Sequence, residues 1–141
     1  MDLTTQFGDV RLKIRVAGII STPRGFLFEK SNKDYIFLIG GKVMVNETSQ
    51  EAIEREIMEE IGMQVDDLTL VSIMENLYST TDGKVHEICF IYKIGSIFNG
   101  VLANGFVEVP IGDIGKFNIK PSAIVDILKN KDSSFRNIII K

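Results

Sequence analysis

Hydrophobic positions along the chain fall into short β-type runs separated by turn chemistry, with one longer exception. From Asp9 to Thr22, β-branched and apolar residues are interspersed with charges; Pro23-Arg24-Gly25 then supplies a turn, and Phe26 to Glu29 resumes the apolar run. This predicts strand, turn, strand. Tyr35 to Ile39 is a further short run, expected to stop at Gly40-Gly41, where the backbone is freed from the usual steric limits. The exception is Thr48 to Ile61, which holds no Pro or Gly and places Ile53, Ile57 and Ile61 at helical spacing. It opens with Thr48-Ser49-Gln50-Glu51, a capping-box pattern, and Gly62 follows as an expected C-terminal cap.

Beyond the helix, Leu68 to Tyr78 and Val85 to Ile94 read as two strands of a hairpin joined through the turn-prone Thr81-Asp82-Gly83. The second strand is largely apolar on both alternating faces, as expected for a strand covered on both sides. Phe106 to Ile111 predicts another strand, Pro121 to Leu128 a helix with Pro in its first turn, and Phe135 to Ile140 a last strand. The order implies an α/β architecture, a mixed sheet with helices packed on its faces; the pattern alone does not fix the strand order.

Composition narrows the picture. With 141 residues, 45% of them hydrophobic, the chain is expected to form one domain with a substantial core. A net charge of -3 and a pI near 5.2 give no general attraction to nucleic-acid phosphates, so duplex binding is not expected. Any phosphate recognition must then run through a metal or a specific pocket. Cys89 is the only cysteine, which excludes an intramolecular disulfide and fits a reducing, cytoplasmic setting. The N-terminus lacks the basic start and apolar run of a signal peptide, and no apolar stretch approaches the ~20 residues that span a membrane, so no membrane association is expected. A homodimer is compatible with the sequence.

The chemistry concentrates in Glu56, Glu59 and Glu60, whose spacings place three carboxylates on one side of the predicted helix. A solvated acidic face is the ordinary explanation for such a cluster. At roughly 100° per residue, however, Glu60 lies about 20° and Glu56 about 60° from Ile53, beside the apolar stripe rather than opposite it. Like charges at the edge of a core repel and lose hydration, and so require a compensating partner. Clustered carboxylate oxygens suit Mg²⁺ or Mn²⁺, and Mg²⁺ takes substrate phosphates as further ligands, which points to hydrolysis of a phosphoanhydride.

From Gly41 to Met63 the chain reads GKVMVNETSQEAIEREIMEEIGM, which resembles the signature box of the Nudix hydrolases. Every fixed position matches, through Gly41, Glu47, Arg55, Glu56, Ile57, Glu59, Glu60, Gly62 and Met63. The resemblance implies the family's α/β/α sandwich and a Mg²⁺- or Mn²⁺-dependent hydrolase acting on a nucleoside-diphosphate-linked small molecule. It implies Glu56, Glu59 and Glu60 as metal ligands, with Glu56 or Glu59 also activating water, and the backbone carbonyl of Gly40 as a further ligand. Glu47 and Arg55 would brace the loop against the helix, with Gly41 and Gly62 as turn and cap. All three glutamates are expected to converge on one cation position near Gly40.

The chain departs from a common form of the family at Met44 and Asn46, where many members carry an acidic residue and a glycine. Glu87 and Glu108 are candidates for a further carboxylate, and Tyr78 for a base-stacking side chain, each set against ordinary structural pairing or packing. His86 reads as a strand residue rather than a ligand. The competing class is a non-catalytic nucleotide-sensing or partner-binding Nudix module, which loss of box carboxylates would favour; all are present.

Overall fold

A computed structural model describes residues 1–130 and 135–141. The described strands form one mixed sheet of β1 (Thr4–Phe7), β2 (Val10–Ser21), β3 (Gly25–Lys30), β4 (Ile36–Lys42), β5 (Leu68–Thr80), β6 (Gly83–Ile97), β7 (Phe106–Pro110) and β8 (Arg136–Ile140). Their order is β7-β3-β4-β2-β6-β5-β8, with β1 paired to β2. The central strand β2 runs antiparallel to β4, with Ala17 opposite Gly40, and parallel to β6, with Ile14 opposite Ile88. The Leu68–Tyr78 and Val85–Ile94 runs form the expected antiparallel hairpin of β5 and β6.

Helix α1 (Ser49–Ile61) covers one face and α2 (Ala123–Lys129) the other, completing the α/β/α sandwich. Alternation along β2 sorts its side chains: Val16 and Ile20 join Ile53 and Ile57 of α1, whereas Ile19 joins Ile124 of α2. In α1, Ala52, Ile53 and Ile57 are fully buried. Burial of each Ile stabilises by about 1.5–3 kcal/mol. The capping box forms: the Thr48 hydroxyl accepts the Glu51 N–H at 3.1 Å, and the Glu51 carboxylate accepts the Thr48 N–H at 3.0 Å. At the other end Gly62, at φ 67°, donates its N–H to the Met58 carbonyl, a left-handed cap that glycine adopts without a Cβ penalty. A 2.7 Å hydrogen bond between the Ser49 and Tyr92 hydroxyls ties the start of α1 to β6.

Three features differ from the pattern-based expectation. Strand β4 continues through Gly40-Gly41 to Lys42, because both glycines remain in register with Ala17 and Val16 of β2. Helix α2 begins at Ala123 rather than Pro121; the Pro121 and Ser122 carbonyls accept the N–H groups of Ile124 and Val125 in a tighter turn ahead of it. Strand β1 was not foreseen. No described helix is long and apolar enough to cross a membrane.

Candidate active site

Strand β4 ends as the chain turns into α1, and the box residues meet at this junction. Arg55 is the hub. Its Nε and one terminal nitrogen grip Glu47 at 2.7 and 2.9 Å, and its other terminal nitrogen reaches Glu56 at 2.9 Å and Glu59 at 3.4 Å. A further bond at 3.1 Å goes to the Lys42 carbonyl, so one guanidinium ties strand, loop and helix together. Glu47 also accepts the Met44 N–H at 2.9 Å. These bonds, that from Arg55 foremost, hold the Glu47 carboxyl down at about 2, and Glu47 in turn raises Arg55.

Glu56 is turned over Gly41. A Cβ at that position would overlap the Glu56 carboxyl, so the box glycine serves close approach rather than an unusual backbone angle. The Glu56 side chain is only 13% exposed, whereas that of Glu59 is 56% exposed and open to a ligand. Burial, opposed by Arg55, pushes the Glu56 carboxyl up, and the Glu59 and Glu60 charges add to the rise. Glu29 of β3, which the sequence reading did not single out, belongs to the same electrostatic cluster. Burial raises its carboxyl, the Glu60 and Glu56 charges add to the rise, and Arg15 opposes it. The available signal was alternation, since Glu29 shares a strand face with Leu27, which packs on the α1 side.

The loop departures are accommodated. Asn46 sits at φ 66°, the left-handed conformation for which glycine is the common choice and Asn the next best tolerated. Met44 is 41% exposed and pairs through its backbone with Asp2. Among the described residues no three His, Cys, Asp or Glu side chains already form a closed metal-binding group. Instead the Arg55 guanidinium lies between Glu56 and Glu59, a fixed positive charge that relieves their mutual repulsion. The donor set still fits a hard divalent ion: the helix carries Glu56, Glu59 and Glu60, and the Glu56 carboxyl is turned over Gly41 near the end of β4.

The remaining candidates lie elsewhere. Glu108 is bound by Arg24 at 2.7 and 3.0 Å, and hydrogen bonding from Thr22 and then Arg24 lowers its carboxyl. His86 is exposed on β6. Glu87 and Tyr78 line a cavity of about 750 Å³ between the sheet and the segment leading into α2. Arg15, Asn76, Asn118 and Lys120 also line it, and Lys120 lies 4.8 Å above the Tyr35 ring.

This combination of a mixed sheet between two helices and a box held at the end of β4 is that of the Nudix class. The sequence profile of the NUDIX domain matches residues 12–109, and the chain belongs to the Nudix hydrolase family. No curated relative matches it. Solved structures share the fold at low identity. The mutator MutT protein from Bacillus halodurans is 16% identical with a TM-score of 0.74, over 89% of this chain and 86% of that one. The MutT Nudix hydrolase from Burkholderia pseudomallei is 19% identical with a TM-score of 0.68, over 84% and 98%. An ADP-ribose pyrophosphatase from Streptococcus suis is 14% identical with a TM-score of 0.56, over 90% and 98%.

Proposed function

We propose that the protein is a divalent-metal-dependent hydrolase that cleaves a phosphoanhydride bond in a nucleoside-diphosphate-linked substrate: a nucleotide sugar, a dinucleoside polyphosphate or a nucleoside triphosphate. The observation that carries the reading is Glu56, folded over Gly41 and fixed by Arg55, beside the open carboxylate of Glu59. Glu56, Glu59 and Glu60, with the Gly40 carbonyl, would hold Mg²⁺ or Mn²⁺, which when bound supplies charge neutralisation at phosphate and a more acidic water. Arg55 and Glu47 do not react; they set the direction of the Glu56 carboxylate before substrate arrives, which lowers the reorganisation the reaction requires. Glu56, whose carboxyl burial pushes up, or the more open Glu59 would accept the proton of the attacking water. The nucleoside portion would reach the cavity on the α2 face past the end of β4, where the cavity-lining Arg15 stands opposite Lys42, and the cavity is of ordinary small-molecule size.

The test is a product screen across nucleotide sugars, dinucleoside polyphosphates and triphosphates with Mg²⁺, Mn²⁺ and chelator. Metal-dependent release of a nucleotide from at least one class is expected. No product from any class with either metal would contradict the reading and favour the sensing module.

A further inference from the structure

Four charged side chains line the cavity on the α2 face, Arg15, Lys33, Glu87 and Lys120, and the box chemistry has no use for any of them. Glu87 is 7% exposed and faces the cavity from β6. Its carboxylate accepts no hydrogen bond from a described residue: Arg15 stands 3.7 Å away, beyond hydrogen-bond range, and Lys13, opposite it on β2, acts on it through charge alone. A buried carboxylate in that condition is costly unless something donates to it. Arg15 is also underused, with its side chain 35% exposed and lining the same cavity. Burial and then the Glu87 charge raise the Tyr78 hydroxyl, so that charge is felt across the cavity wall.

The pair presents a donor fork next to a two-oxygen acceptor, among apolar neighbours such as Leu38, Met74 and Ile91 that strengthen any hydrogen bond formed there. The complementary ligand edge is a carbonyl followed by two adjacent N–H donors. Of the common nucleobases, guanine alone has it, with its carbonyl beside the ring N–H and the exocyclic amine. Adenine and cytosine offer one amino donor beside acceptors, and uracil one imino donor between two carbonyls. We propose that Glu87 and Arg15 are the base-reading pair of this protein and select a guanine-type nucleotide. The proposal rests on the nucleotide-hydrolase reading above, but it concerns recognition and can be tested without turnover.

The experiment is equilibrium titration of the full chain with guanosine, inosine, adenosine, cytidine and uridine monophosphates. Guanosine monophosphate should bind at least about tenfold tighter than the adenosine, cytidine and uridine forms. Inosine monophosphate, which lacks only the exocyclic amine, should also bind about tenfold weaker than the guanosine form, the worth of one hydrogen bond to a charged acceptor. That comparison requires no variant. Glu87→Gln, checked by its melting curve, should weaken guanosine monophosphate by about 10- to 100-fold and leave the other monophosphates within about threefold. Equal binding of guanosine and inosine monophosphates, binding of none of the five, or a uniform loss in Glu87→Gln would overturn the proposal. Guanine selectivity in a protein that hydrolyses nothing would instead overturn the catalytic reading and leave this one standing.

Discussion

Arg55 organises three carboxylates, and this makes two outcomes specific. Glu47 has a folded value of about 2 against an ordinary 4.5, so its pairing contributes stability that is complete above about pH 4.5 and is lost as pH falls toward 2. Melting temperature followed over that window should drop in the wild type and drop less steeply in Glu47→Gln. Identical slopes would contradict the pairing. Gly41→Ala should move Glu56, because the new Cβ and the carboxyl cannot share one place. Turnover is expected to fall by up to ~10²-fold, as for other small misplacements of a catalytic group, and wild-type turnover would contradict the assigned position of Glu56. The box glutamates could be read from the sequence because helical spacing sets their side. Glu29 and Arg15 were harder to find, since each becomes meaningful only once the neighbouring strands are ordered.

At the scale of elements, α1 is both a scaffold packed on the sheet and the carrier of the box carboxylates. Ile57 is fully buried against the sheet, so Ile57→Ala should cost about 2–5 kcal/mol. A urea titration would read this as a lower midpoint at unchanged slope. Loss of less than about 1 kcal/mol would mean that α1 is not anchored through this residue. The helix was legible because its capping box, apolar stripe and cap glycine agree. Strand β1 was not, because Thr4–Phe7 is mostly exposed and pairs through its backbone, as Thr4 opposite Lys13 and Phe7 opposite Val10. The residues before it also brace the box loop. The Leu3 N–H binds the Val43 carbonyl and the Val45 N–H binds the Met1 carbonyl, both at 2.8 Å, while Asp2 pairs with Lys42 at 3.6 Å. Backbone contacts of this kind leave no periodic signature in sequence.

Over the whole molecule, two chemistries are divided between the faces of one sheet. The carboxylates lie on the α1 side, and the cavity with Glu87 lies on the α2 side. That division was not legible, since it depends on the parallel pairings of β2 with β6 and β5 with β8, which join strands distant in the chain. The central claim, that the α1 carboxylates perform metal-assisted hydrolysis, is tested most directly by steady-state turnover of Glu59→Gln beside Glu54→Gln. Glu59 is exposed next to Arg55, and Glu54 points about 160° away from Glu56 on the same helix. With saturating Mg²⁺ and the best substrate from the screen, Glu59→Gln should turn over at least ~10²-fold more slowly. Its circular dichroism should be unchanged, and Glu54→Gln should match the wild type. Wild-type turnover in Glu59→Gln would contradict the account.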